Sequence, residues 1–399
     1  MQTLEIIFWI LLFLLFYTYL GYGMVLYLMV RIKRWLRKAP DDAVEAYEPE
    51  VTLLVAAFNE KEMVKDKVSN TCGLDYPAEK LKQVWVTDGS DDGTDQLLKD
   101  YADVTVLHQP ERQGKIAAIN RAMPLVDTSI VIFSDANTFL GEESVRRIVN
   151  LFRDKQVGCV SGEKRIYSKA EDAAAGAGEG IYWRYESTLK RWDAELNTVV
   201  GAAGELFAIR TELFEAVEPD TLLDDFIISL RIAAKGYTVQ YDPEAYAIET
   251  ASANVEEELK RKVRIAAGGI QSIVRLRHLM NVFRYGLLAF QFISHRVLRW
   301  TLAPLAIPLV FVLNYLLCND PGISWSGFYQ ILFFLQVVFY ALAIAGIITK
   351  NQEVKLKILF VPYYFLMMNY AVYLGLIRYL KKSQSVNWER ARRGVVTEP

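Results

Sequence analysis

Five short stretches of this 399-residue sequence hold residue types that can bind, polarise or deprotonate a substrate. Thr87-Asp88-Gly89-Ser90-Asp91-Asp92-Gly93-Thr94 puts a carboxylate, Asp88, at the tip of an apolar run, where it can accept from a ribose hydroxyl or a base N–H. Gly89 and Gly93 permit tight turns there, and an Asx turn with a helix cap at Thr94 is the other reading. Asp135-Ala136-Asn137 sets two oxygen-bearing side chains two residues apart, on one side of an extended chain. That spacing suits a hard cation such as Mg²⁺ or Mn²⁺, and it is also common in loops. Arg112-Gln113-Gly114-Lys115 places two cations beside a helix start, fit for phosphate or simply a solvated turn. Leu222-Leu223-Asp224-Asp225-Phe226 sets adjacent carboxylates among apolar residues, where burial and like-charge repulsion raise one pKa toward general-base work. A helix N-terminus favouring acids accounts for the same pair. Arg261 and Arg264, three apart in a helix starting near Val255, share a face for a diphosphate or for lipid headgroups.

The elements that must carry these residues read clearly. Val51–Phe58, Gln83–Thr87 and Ser129–Phe133 are short β-branched and aliphatic runs with abrupt polar ends, the pattern of buried parallel strands. Helical stretches separate them at Lys61–Thr71, Thr94–Tyr101 and Lys115–Met123. Alternating strand and helix predicts a doubly wound α/β sheet, in which ligands bind beyond the carboxyl ends of the strands. The polar clusters fall at those ends.

Composition excludes other classes. Lys plus Arg number 45 and Asp plus Glu 47, for a net charge of −2, which argues against a nucleic-acid binder. Apolar residues make up 52%, and 6–30, 300–319, 321–349 and 358–377 carry no charge, each long enough to cross a bilayer core. A purely cytosolic enzyme is thereby excluded. Met1–Glu5 lacks the basic residues of a signal peptide, and Arg31, Lys33, Arg34, Arg37 and Lys38 follow the first apolar run. The expectation is an uncleaved helix with its N-terminus outside and these bases inside. Three scattered cysteines argue against a disulfide framework, and His108, His278 and His295 form no evident cluster.

The order of VAAFNE, TDGSDDGT, RQGK, SDAN, GEL, LDDF and RxxR, followed by apolar helices, resembles the membrane-bound family 2 glycosyltransferases over roughly residues 10–300. That group includes hyaluronan, cellulose and poly-N-acetylglucosamine synthases. The resemblance implies a GT-A-like, Rossmann-like cytosolic domain with a helical transmembrane region. It also implies roles: Phe58, Glu60 and Asp88 at the base and ribose of a nucleotide, usually uridine; Lys115 near that nucleotide; Asp135 and Asn137 at the sugar diphosphate through Mg²⁺ or Mn²⁺. Asp225 stands at the base position, with Asp224 beside it and Gly204, Glu205 and Leu206 at the acceptor pocket, and Arg261 and Arg264 at the diphosphate. A nucleotide-sugar donor, a glycan or lipid-linked acceptor and the bilayer are the implied partners. Three residues depart from the family pattern: Asn137 replaces a carboxylate, Ile265 a tryptophan, and Ala203 an acid.

The expected layout is an N-terminal transmembrane helix (1–31), a transferase domain (32–280), an amphipathic interface helix (281–297), three transmembrane helices (298–380) and a basic tail (381–399), in the inner membrane. With the N-terminus outside and the domain cytosolic, three later crossings would put the tail outside, against the positive-inside rule.

Overall fold

The computed structural model describes residues 2–36, 47–167, 173–250, 255–320, 326–349 and 357–382. Eight strands build one mixed sheet in the order β3-β2-β1-β4-β7-β6-β8-β5. Its first half is parallel: β1 (Val51–Ala57), β2 (Leu81–Asp88), β3 (Val104–Gln109) and β4 (Ile130–Asp135). β1 is central and buried at every position, which explains its unbroken apolar run. Helices Lys61–Cys72, Thr94–Leu98 and Lys115–Ala122 make the crossovers.

The second half departs from a doubly wound sheet. β7 (Leu206–Arg210) pairs antiparallel to β4, and β6 (Val157–Tyr167) antiparallel to β7. β8 (Thr238–Thr250) runs parallel to β6, and the two-residue β5 (Phe139–Leu140) closes the edge against β8. One apolar cluster fills each face: Val51, Leu53, Val55, Trp85 and Phe152 on one side, Leu54, Val86, Phe133, Phe207 and Ile227 on the other. The carboxyl ends of β1, β2 and β4 lie side by side in register, and the polar clusters that follow them gather at this edge.

Outside this domain, Gln2–Leu36, Gly327–Ile348 and Leu359–Leu380 are helices long and apolar enough to cross a membrane, a fourth crossing being available if one bent pair counts as a span. The expected single interface helix over 281–297 is instead broken. Asn281 caps Val282–Tyr285 by accepting from the N–H groups of Phe283 and Arg284, Gly286 turns at φ +51°, and a second helical run, Leu287–Trp300, follows. That run meets Leu302–Cys318 at 54°. Pro304 gives a reason for the break at Thr301: its ring has no N–H to offer and would clash with the carbonyl of Trp300. The helix Val255–Arg275, which carries both arginines, packs against Lys357–Leu380, where a Cβ on Gly375 would sit 2.7 Å from Ala266 Cβ. Of the expected basic tail, residues 383–399 lie outside the described residues, as does the loop 350–356.

Candidate active site

The loops after β1 and β2 are tied to each other. Asn59, held at φ +52°, donates from Nδ2 to Asp91 Oδ1 at 2.7 Å and accepts from Asp91 N–H at 3.0 Å. Asp92 takes N–H groups of Lys61 and Thr94, so the Asx turn forms at Asp92, whereas Thr94 is the first helical residue and the N-cap is Gly93, without a side-chain cap hydrogen bond. Asp88 does something else. Its Oδ2 accepts from the backbone of Gln113 at 2.9 Å and Gly114 at 2.6 Å, so the 112–115 turn is seated on a carboxylate. Its Oδ1 is buried with no hydrogen-bond partner, 3.7 Å from Arg121 Nη1. A buried acceptor left without a donor is costly, and a nucleobase N–H is a donor of the right kind. Beside it the Arg112 guanidinium lies 3.7 Å over the Phe58 ring. Glu60 is buried at the start of the helix Lys61–Cys72, its N–H on Thr94 Oγ1.

Lys115 enters from the N-terminus of the helix Lys115–Ala122 and meets two carboxylates: Asp135 Oδ1 at 2.8 Å and Asp224 Oδ2 at 3.5 Å. Burial works against its charge, but Asp135, Asp224 and Asp225 together raise its pKa well above the usual lysine value. Asp224 Oδ2 is buried and has no hydrogen-bond partner. Behind Asp135, the fully buried Lys67 donates to Ser134 Oγ at 2.8 Å and to the Thr138 carbonyl at 2.6 Å, straddling the Asp135-Ala136-Asn137 turn. Burial pulls the Lys67 ammonium down to about 7, with Asp135 opposing.

A divalent cation fits here only together with its substrate. Asp135 and Asn137 offer two oxygens at the end of β4, and among the described residues no three His, Cys, Asp or Glu side chains gather as a closed metal site. Such a cation keeps an octahedron of waters and substrate phosphate oxygens around one or two protein ligands. That Asp135 already draws an ammonium shows how strongly the position favours positive charge.

Asp225 opens the helix Asp224–Ala234. Burial and the adjacent Asp224 push its carboxyl up to about 7, against the pull of Lys115, with Glu205 adding to the rise. The acids start a helix, and Asp225 is the one whose carboxyl burial raises toward neutrality. Gly204 lies against this carboxylate, a Cβ there falling 3.2 Å from Asp225 Oδ2. Leu206 is buried at the start of β7. Glu205 is held by Lys164, which also bonds Glu249. Burial alone would raise its pKa, but Lys164 and then Arg261 hold it down to about 2.

The two arginines part company. Arg261 donates twice to Glu258 at 3.0 Å and lies 3.8 Å from Glu249. Arg264 has a buried Nε without a hydrogen-bond partner. Sequence reading missed Lys67, Lys164, Arg121 and the Arg112–Phe58 stack. It also treated His295 as isolated, whereas His295 is fully buried between Asp193 and Glu186. Only a charge in an otherwise apolar stretch signalled it.

Residues 52–218 match the model of the family described as glycosyl transferase family 2. The poly-beta-1,6-N-acetyl-D-glucosamine synthase of Staphylococcus aureus is 27% identical over 281 residues, 66% of this chain and 66% of that protein. The synthase of the same name from Staphylococcus epidermidis is 23% identical over 276 residues, with the same coverage. A solved mannosyltransferase, PcManGT from Pyrobaculum calidifontis in complex with GDP-Man and Mn²⁺, shares the fold at a TM-score of 0.70, covering 96% of this chain and 100% of that one at 22% identity. The sheet and these matches define a GT-A-like glycosyltransferase fold. Over residues 52–218 the chain is similar to the family 2 glycosyltransferases, and these synthases are its relatives at 27% and 23% identity.

Proposed function

We propose that this chain transfers a sugar from a nucleotide diphosphate donor, a UDP-sugar, to the growing end of a glycan at the inner face of the membrane, inverting the anomeric centre. The observation that carries this reading is the placement of Asp225: a carboxyl raised to about 7, against the Gly204 backbone, in one cluster with Lys115 and Asp135. Asp225 takes the proton of the acceptor hydroxyl as its oxygen attacks the anomeric carbon. The bond from that carbon to the diphosphate oxygen breaks on the opposite face, and the nucleoside diphosphate departs. Arg264 and Lys115 offset the negative charge that develops on the leaving group. Asp88 receives the base through its unpartnered Oδ1, with Phe58 and Arg112 on its flat face and Glu60 alongside. Asp135 and Asn137 would hold Mg²⁺ or Mn²⁺, which supplies Lewis-acid charge at the diphosphate when bound.

Transfer of a single sugar to a lipid-linked acceptor is the second reading, and Ile265 favours it. An aliphatic side chain stands where processive relatives present an aromatic platform for a sugar chain. The test is purified full-length protein in lipid vesicles with Mn²⁺ and radiolabelled UDP-N-acetylglucosamine, UDP-glucose or GDP-mannose. Nucleoside diphosphate release with a long glycan supports the first reading. A lipid carrying one sugar supports the second, and turnover of no donor overturns both.

A further inference from the structure

The cluster that the transfer chemistry leaves unused sits where the helical segment before the bend meets the catalytic domain. Glu186, in the helix Ala173–Leu196, is buried, and its one carboxylate gathers three cationic or ionisable groups. Arg296 Nη1 donates to Oε1 at 2.9 Å, Arg299 Nη1 to Oε2 at 2.8 Å, and His295 Nε2 lies 3.2 Å from Oε1. Burial would raise the Glu186 pKa, but Arg296, His295 and Arg299 hold it well below the carboxylate range, so it stays charged. One turn or two further along the same helix, Asp193 fixes the other side. His295 Nδ1 lies 2.6 Å from Asp193 Oδ2, and Gln291 Nε2 donates to Asp193 Oδ1 at 3.0 Å. Two carboxylates buried together are expensive unless fully paired, so this is a built junction.

What it holds is the acceptor loop. The Nε of Arg296 donates at 2.9 Å to the carbonyl of Val200, which opens the stretch Gly201-Ala202-Ala203-Gly204-Glu205. Gly201, at φ +97°, presses on Phe226, where a Cβ would fall 2.3 Å from the ring. From the other side Ser229 Oγ accepts from Ala202 N–H at 3.1 Å while donating to the Asp225 carbonyl at 2.6 Å. Trp300 completes the contact, its ring 5.5 Å from Phe226 and 5.7 Å from the Arg296 guanidinium. The loop is therefore gripped between the base-bearing helix and the segment leading to the apolar helices.

We infer that Arg296, oriented by Glu186, is a positioning residue for the acceptor: it sets the 200–205 loop against Asp225 and takes no part in holding the nucleotide. This rests on the transferase reading above. Misplacing a reacting group by about 1 Å costs up to ~10²-fold, so Arg296→Gln and Glu186→Gln are expected to lower acceptor-dependent turnover about 10- to 100-fold.

The experiment uses full-length protein in vesicles, with UDP-N-acetylglucosamine as donor and an N-acetylglucosamine oligosaccharide as acceptor. UDP affinity is measured separately by calorimetry. The expected result is a raised acceptor KM or lowered kcat with UDP affinity within about twofold of wild type, and the same split for Ser229→Ala. Arg296→Lys, which keeps the charge facing Glu186, carries the test if Arg296→Gln fails to accumulate, and should fall between it and wild type. UDP affinity and turnover dropping in parallel, or no change in either, overturns the inference. An active wild type with an unaffected Arg296 variant overturns it alone, whereas an inactive wild type overturns the transferase reading beneath it.

Discussion

The proposed donor half and the proposed acceptor half of the site are built by different means. Around Asp88, Lys115 and Asp135, loops following parallel strands bind one another through backbone groups and neighbouring side chains, as in Gln113 and Gly114 on Asp88. That half holds a buried polar atom without a hydrogen-bond partner, Asp88 Oδ1, which a ligand can satisfy. Around Glu205 and Asp225 the 200–205 loop is clamped by groups far away in sequence, Arg296 on the Val200 carbonyl and Lys164 on Glu205 and Glu249. The donor side is a vacancy shaped for charge; the acceptor side is a rigid wall placed by the rest of the molecule.

The largest expected effect sharpens this contrast. General-base catalysis contributes roughly 10²- to 10⁴-fold, so Asp225→Asn should cut acceptor transfer by about that factor while UDP binding is retained; kinetics and calorimetry together check it. The pH profile follows from the same carboxyl. Asp225 works ionised, so turnover should rise with pH through about 7 and level off above it. The stability effect has the opposite sign. Its folded pKa lies above its unfolded value, so the proton it holds stabilises the fold at acid pH, and that contribution is lost as pH rises through about 7. Asp225→Asn should therefore melt higher than wild type at pH 8, by roughly 2–4 °C per kcal/mol gained.

The arginines give the next contrast. Arg264→Ala removes a guanidinium whose buried Nε has no hydrogen-bond partner and should lower kcat about 10²-fold, the scale of one oxyanion-stabilising donor. Arg261→Ala removes a guanidinium that Glu258 and Glu249 share, leaving them Lys262 and Lys164, and should register mainly as a lower melting temperature; equal effects on kcat would erase the distinction. Chelation comes next: EDTA should abolish turnover and Mn²⁺ restore it, and full activity in EDTA would remove Asp135 and Asn137 from the metal role. The smallest effect is expected for Lys67→Met, which loosens the turn it straddles; a several-fold rise in donor KM with unchanged acceptor KM is the result to look for.

Legibility in sequence follows the same divide. β1, β2 and β4 and their crossover helices were readable because each buries an apolar face with a short, regular period, and Asp88, Asp135 and Asp225 stand at element ends where polarity breaks abruptly. β6, β7 and β8 were not, since antiparallel strands joined through long helical excursions leave no alternating strand–helix rhythm. The region 281–297 read as one amphipathic helix because periodicity does not register Gly286 at positive φ. Arg261 and Arg264 looked equivalent by spacing, but Glu258, three residues before Arg261, and Glu249 from β8 both engage Arg261. His295 was opaque for the same reason: its partners Asp193 and Glu186 lie about a hundred residues away.

The central claim is that Asp225 deprotonates the acceptor for a single inverting displacement. The most direct measurement is the anomeric configuration of the product, read by proton NMR coupling from an α-linked UDP-N-acetylglucosamine donor, run with wild type and Asp225→Asn side by side. The account predicts a β-linked product from wild type and none above background from Asp225→Asn. An α-linked product, or undiminished transfer by Asp225→Asn, would contradict it.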